Sequence, residues 1–292
     1  MKKYLKTFLA ELPNQTFFDS LEVILDHNAP SEDELVWVKQ FQADYPDHIR
    51  HMVIPHVDPI GISMNRCIRE SSGDLLCIWN VDDLRTPESI EAQVNALKDN
   101  QSVDIIYGNY EVTNSFPSKK GKLVDHSQIP ESELTRSMIL GPFFMFRKSL
   151  LFKSGKFDEQ FKSGCDFDLA IRLAFHGKAK RIDENLGYYL NEGLGASTRK
   201  ESLQPVELTA IELRYGIYEK IDYSHLQKAL NYRIYELLNG NAWISIANLI
   251  PRYSEMLEEN KNTYLEKGMN KFLRDMRMKK VCEFISKFKQ RL

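Results

Sequence analysis

The alternation of apolar runs in the first third of the chain constrains its fold more than any other feature. Leu21-Glu22-Val23-Ile24-Leu25 reads as a strand, Ser31 to 44 as a helix, Met52-Val53-Ile54-Pro55 as a strand, Ile62 to Ser71 as a helix and Leu75 to Val81 as a third strand. Strands that alternate with helices favour a mainly parallel sheet with helices on both faces, an α/β class. Ser31 supplies a helix cap, and Glu32, Asp33 and Glu34 place acids at the positive end of the helix dipole. The pattern continues with a helix over 87–99, strands over 103–108 and 110–113, a strand-like aromatic run from Gly141 to Arg147, a helix from Cys165, and short strands at 181–183 and 186–190. An amphipathic helix over 3–12, ending at Pro13, precedes it all. Residues 114–133 are rich in Ser, Pro, Lys and Gly and read as a long loop, a class that is usually functional or mobile.

The third strand delivers Asn80-Val81-Asp82-Asp83 at its carboxyl end before the break at Thr86-Pro87. Ligands collect at such strand ends in open α/β sheets, and adjacent carboxylates supply the hard oxygen donors that Mg²⁺ or Mn²⁺ prefers. The bland alternative is a solvated turn in which Asp82 or Asp83 caps the following helix. Asp26 with Asn28, and Asp166 with Asp168, form two more acidic clusters at strand ends or helix starts of the same unit.

The order of these pieces is more specific than any one of them. The run Leu21 to Asp26, then Ser63-Met64-Asn65-Arg66-Cys67-Ile68-Arg69-Glu70-Ser71-Ser72-Gly73-Asp74, then Asn80-Val81-Asp82-Asp83 and Pro87, resembles the family-two glycosyltransferases of the GT-A fold. So do Gly141-Pro142, Phe146-Arg147-Lys148, Gly155-Lys156-Phe157-Asp158-Glu159 and Asp166-Phe167-Asp168-Leu169-Ala170-Ile171-Arg172-Leu173. The resemblance covers about residues 5–198. It implies a GT-A domain over 1–200 that transfers a sugar from a nucleoside diphosphate donor, a UDP-sugar foremost, with Mn²⁺ or Mg²⁺ as cofactor. A cation held by carboxylates would stabilise the charge that builds on the departing diphosphate. In this resemblance Asp83 and Asp82 hold the metal, and Asp82 also faces the ribose. Asn80 stands where many members carry another Asp. Asp26 or Asn28 reads the base, and Asn65 matches an Asn of an Arg-Asn pair whose Arg is here Met64. Asp166 matches the base that deprotonates the acceptor hydroxyl, with Cys165 where a Glu usually precedes it. Asp168 orients the helix, Arg172 holds the acidic loop, and Tyr189 and Ser197 lie where members close over the donor.

One departure stands out. The resemblance places a strand before the first helix, and this chain opens at the helix, so that strand is expected to be missing from the sheet. The rival to an enzyme is therefore a non-catalytic GT-A-like binding or scaffold module of a glycan-assembly complex. A nucleotidyltransferase is disfavoured, because no Gly-rich phosphate loop occurs near the start.

Composition narrows the partners. A formal net charge of -2 disfavours a general nucleic-acid surface, and four scattered cysteines (Cys67, Cys77, Cys165, Cys282) suit thiols in a reducing cytoplasm. After residue 200 the spacing reads as a helical extension, with helices over 205–217, 224–239, 241–258 and 262–290. Residues 269–292 carry eight Lys or Arg against two acids, a net of +6. Such a helix fits peripheral contact with an anionic membrane at its inner face; packing its apolar side on the body while its lysines stay solvated is the other reading. A glycan or lipid-linked acceptor in bacterial surface-polysaccharide synthesis agrees with both the family and the basic tail.

Overall fold

The computed structural model describes residues 2–127, 129–193, 195 and 201–272. Its elements, in chain order, are α1 (Lys2–Glu11), β1 (Val23–Asn28), α2 (Glu32–Asp44), β2 (Ile49–Ile54), α3 (Ile60–Glu70), β3 (Leu75–Cys77), β4 (Leu84–Arg85), α4 (Ser89–Asp99), β5 (Ile105–Thr113), β6 (Lys122–Val124), β7 (Met145–Arg147), α5 (Leu151–Ser154), α6 (Cys165–His176), β8 (Ala179–Leu190), α7 (Gln204–Arg214), α8 (Leu226–Ala229), β9 (Glu236–Asn239), β10 (Ala242–Ser245) and α9 (Tyr253–Phe272). The helix expected from Ser31 forms with a full capping box: the Glu34 carboxylate accepts from the Ser31 backbone N–H at 2.8 Å.

The large sheet has six strands in the order β3-β7-β5-β8-β4, with β6 added beside β5. Its directions are mixed, where the alternation predicted mainly parallel neighbours. β5 and β8 pair in parallel, whereas β7 runs antiparallel to both β3 and β5 and holds those two strands apart. β1 and β2 form a separate parallel pair, Val23 opposite Ile49 through Asn28 opposite Ile54. Among the described residues no strand pairs with the outer edge of β1 or of β3. Helix α1 packs there instead: Leu5, Phe8, Leu9 and Leu12 share a core with Leu25, Val38, Phe41 and Ile49, and Phe8 meets the Trp79 ring edge-on at 5.1 Å.

The segment after residue 200 departs from an all-helical reading. Residues 224–239 and 241–258 contain the hairpin β9–β10, with Asn239 opposite Ala242 around a two-residue Gly240-Asn241 turn in which Gly240 takes φ +61°. Gly240-Asn241 between apolar residues, with Gly at the first central position, is the signal for that turn. Helices α7 and α9 do form, and their Val206, Ile211, Leu213 and Tyr253 share one core with Phe146, Phe157, Leu169 and Ile171 of the sheet and α6. The basic stretch 269–292 lies largely outside the described residues. Among those described, no helix is long and apolar enough to cross a membrane.

β1 and β2 bring two histidines ring to ring. His27 Nδ1 lies 3.1 Å from His51 Nε2, and fully buried His27 stands 3.9 Å from the Glu34 carboxylate. Burial lowers both pKa values below the ordinary 6.5, and the charge of His27 lowers His51 further. Groups depressed in the fold contribute stability that is complete above about pH 6.5 and is lost as pH falls through the folded values. The urea midpoint is expected to drop between about pH 7 and about pH 5, and to drop less in His51→Gln; equal drops in the two proteins would refute the assignment.

Candidate active site

Strand β3 ends early, and residues 78–83 turn so that Asp83 is buried at 2% exposure while Asp82 stays half-exposed. Asp83 is held from three sides. Its Oδ1 accepts the Leu190 backbone N–H at 2.9 Å, its Oδ2 accepts the Asn80 amide at 3.1 Å, and its own carbonyl accepts the Trp79 indole N–H at 3.0 Å. Asn80 therefore orients Asp83. Burial pushes the Asp83 carboxyl up to about 7, the neighbouring Asp82 charge adds to this, and the Leu190 and Asn80 donors oppose it. Asp82 is also raised, by burial and then by the charge of Glu192. Glu192, which the sequence reading did not single out, accepts from the Tyr4 hydroxyl and pairs with Lys3 at 2.6 Å.

Behind this turn sits a guanidinium that sequence reasoning also missed. Arg85 is 1% exposed, donates to Gln93 Oε1 at 3.0 Å and to the Ile78 carbonyl at 3.2 Å, and lies over the Trp79 and Phe143 rings. It fixes the wall from which Asn80 and Asp83 project.

The carboxyl end of β1 makes a second cluster. Asp26 pairs with Arg66 at 2.5 Å and accepts from the Asn28 amide; Arg66 also bonds Asp58, and the Asp58 N–H donates to Asn28 Oδ1 at 2.8 Å. Asn28 further donates to Ser63 at 3.1 Å. Arg66, one position after the expected Asn65, is thus the cation of this strand end. Asn65 itself is buried, and its amide is taken up by the backbone of Phe157 (2.9 Å each way) and by Glu159 (2.8 Å). It ties α3 to the 157–159 turn, which makes it a positioning residue where the resemblance implied a ligand contact.

Asp166 stands apart from both clusters, in the first turn of α6. Its Oδ1 accepts the Phe167 N–H at 2.8 Å, and burial raises its pKa, with the charge of Glu207 adding to this. The loop before it is fastened by Glu207 of α7, whose carboxylate accepts the backbone N–H groups of Lys162 (2.8 Å), Ser163 (2.7 Å) and Gly164 (2.8 Å). Asp168 points the other way. It is fully buried and bonds Arg172 (2.7 Å), Arg214 (2.6 Å) and the Tyr215 hydroxyl (2.8 Å), so it is out of reach of a substrate. His176 closes the helix on the Leu249 carbonyl at 2.5 Å. The ring of Tyr189 lies 6.5 Å from that of Tyr110, and Ser197 is outside the described residues.

Fold comparison defines the class. The protein has the GT-A fold, superposing on S. aureus TarS 1-349 in complex with UDP-GlcNAc with a TM-score of 0.57 and 16% identity, over 78% of this chain and 67% of that one. The mannosyltransferase PcManGT from Pyrobaculum calidifontis, solved with GDP-Man and Mn²⁺, aligns at 0.51 and 13% identity over 90% of this chain and 71% of that one. The chain belongs to glycosyl transferase family 2, whose family model matches residues 2–155. Among curated relatives it is 24% identical to the chondroitin synthase of Escherichia coli over 207 residues, and 24% identical to an uncharacterised glycosyltransferase of Methanocaldococcus jannaschii over 198. The alignments take in 69% and 64% of this chain, but span only 29% of the first relative and 66% of the second.

Proposed function

We propose that the protein is a metal-dependent, inverting glycosyltransferase that moves a sugar from a nucleoside diphosphate donor, a UDP-sugar foremost, to a glycan or lipid-linked acceptor of a bacterial surface polysaccharide. The observation that carries this reading is the Asp82–Asp83 pair in the turn after β3, two adjacent carboxylates whose pKa values are both raised, Asp83 by burial and the Asp82 charge, Asp82 by burial and the Glu192 charge. Among the described residues no group of three or more His, Cys, Asp or Glu side chains could hold a metal ion. The pair nevertheless fits a hard divalent cation completed by the donor's own phosphate oxygens, because its carboxylate oxygens have the required chemistry and no cationic side chain is paired with either of them among the described residues. Asp83 and Asp82 would hold that ion, which supplies Lewis-acid stabilisation of the departing diphosphate.

The remaining steps fall to side chains. Asn28 and Asp26, braced by Arg66, sit at the strand end available to the nucleotide base. Asp166 takes the proton of the acceptor hydroxyl as its oxygen bonds to the anomeric carbon from the face opposite the diphosphate, and the diphosphate leaves with the electron pair of the breaking bond. A carboxylate raised above its usual range is the stronger base for that transfer. The break between β1–β2 and β3 favours a second reading, a nucleotide-binding or scaffold module without turnover.

Calorimetry with UDP and GDP, with and without Mn²⁺, and nucleotide release from UDP- and GDP-sugars separate the two. The enzyme reading expects metal-dependent binding and release, both lost in Asp83→Ala. Metal-dependent binding without release establishes the scaffold; no binding, with Asp83→Ala unchanged, ends both.

A further inference from the structure

A cavity of about 290 Å³ opens beside Asp166, between α6, the 136–138 segment, α7 and residue 220. Its cations are already engaged. Arg136 pairs with Glu219, and Lys220 donates to the Arg136 carbonyl at 2.7 Å and to the Ser137 hydroxyl. The carboxyl of half-buried Glu212 and the amide of Gln204 are different: among the described residues neither has a hydrogen-bond partner. Both project from α7, two turns apart, onto the cavity. The wall between them is apolar, formed by Leu208, Met138 and Phe167.

We infer that this cavity is the acceptor subsite and takes one uncharged pyranose ring, with Glu212 and Gln204 bonding its hydroxyls, Leu208 and Phe167 covering its C–H face, and Asp166 beside the hydroxyl that reacts. The inference rests on the glycosyltransferase reading above and narrows the acceptor to a neutral sugar. The chemistry decides between neutral and anionic rings. A uronate or phosphate needs a free guanidinium or ammonium, and here Arg136 is paired with Glu219 while Lys220 lies 3.7 Å from Glu133 and faces the charge of Glu212. A carboxyl and an amide without hydrogen-bond partners suit hydroxyl groups, which both donate and accept. Burial moves the Glu212 carboxyl up to about 7, so near neutral pH it too can serve in either role. The segment after residue 200 thereby acquires a task beyond packing: α7 supplies one side of the acceptor site, and its Glu207 fastens the loop that presents Asp166.

Saturation-transfer NMR on the full chain with UDP and Mg²⁺ tests this, with the methyl glycosides of glucose, galactose, mannose, N-acetylglucosamine and N-acetylgalactosamine as probes and methyl glucuronide as the anionic comparison. At least one neutral glycoside is expected to bind, more tightly than the glucuronide. Leu208→Trp, which fills the cavity, should abolish that signal, and the milder Glu212→Ala should weaken it about tenfold, the loss of one hydrogen bond of about 1.4 kcal/mol. UDP affinity and the thermal midpoint of Glu212→Ala, read alongside, guard against misfolding. Preference for the glucuronide, binding indifferent to both substitutions, or no neutral glycoside bound overturns the assignment. Glycoside binding that depends on Leu208 in a protein that binds no nucleotide would instead keep the sugar site and remove the glycosyltransferase reading.

Discussion

Replacing Arg214 by Met is expected to lower the stability of the fold by about 3–5 kcal/mol, the usual result of removing one partner from a buried ion pair. Arg214 is fully buried at the end of α7 and bridges two carboxylates, Asp158 at 2.8 Å and Asp168 at 2.6 Å, while its Nε donates to the Ile234 carbonyl at 2.7 Å. Without it, two carboxylates in one dry site lose the charge between them. Burial raises the Asp158 carboxyl, and the Arg214 charge opposes that rise. Burial also opposes the charge on Asp168, but Arg172 and Arg214 outweigh it and hold that carboxyl below its usual range. A loss of this size is a large share of the roughly 5–15 kcal/mol that holds a typical domain together. Arg214→Lys should recover only part of it, because one ammonium cannot reach Asp158, Asp168 and the 234 and 236 carbonyls as the planar fork does. Urea denaturation measures both variants, and a change below about 1 kcal/mol in Arg214→Met would show the network to be dispensable. The same network bolts α7 and the β9 hairpin onto α6, the helix that carries Asp166.

That network also marks the boundary of what the residues disclose on their own. Local signals were legible: apolar spacing places α1, Ser31 with Glu34 starts α2, and the 103–113 strands form one continuous β5. The acidic turn at 80–83 was legible because strand, amide and two carboxylates are contiguous. Arg214 and Glu207 were not. Their partners lie 46 and about 44 residues away, and only the packing of α7 on α6 shows that one neutralises Asp158 and Asp168 while the other collects three backbone N–H groups. Asn65 shows the converse: it sits in a motif position, yet contacts to Phe157 and Glu159 occupy its amide. The β9–β10 hairpin lies within 224–239 and 241–258, where the spacing reads as helical, although Gly240-Asn241 carries a local turn signal against it.

Asp166→Asn is expected to reduce sugar transfer by about 10²–10⁴ while leaving nucleotide affinity unchanged, the range for removing a general base from its step. The substitution is gentle on the fold, since an amide oxygen can still accept the Phe167 N–H that Asp166 accepts at 2.8 Å. It removes only the capacity to take a proton. Asp83→Asn should behave in the opposite way: the amide still caps the Leu190 N–H, but the charge that favours a cation is gone, so metal-dependent UDP binding weakens before any chemistry is measured. The pH profile adds a second test. The unprotonated form of Asp166 is the active one, and burial raises its pKa above the ordinary carboxylate value, so the rate should fall on acidification through a pKa higher than that of an exposed Asp. Calorimetry with UDP, nucleotide release and the pH–rate profile read these effects separately. If Asp166→Asn retains full turnover, the base lies elsewhere; if it loses UDP binding together with turnover, Asp166 belongs to the donor site and the division of labour between β3 and α6 fails.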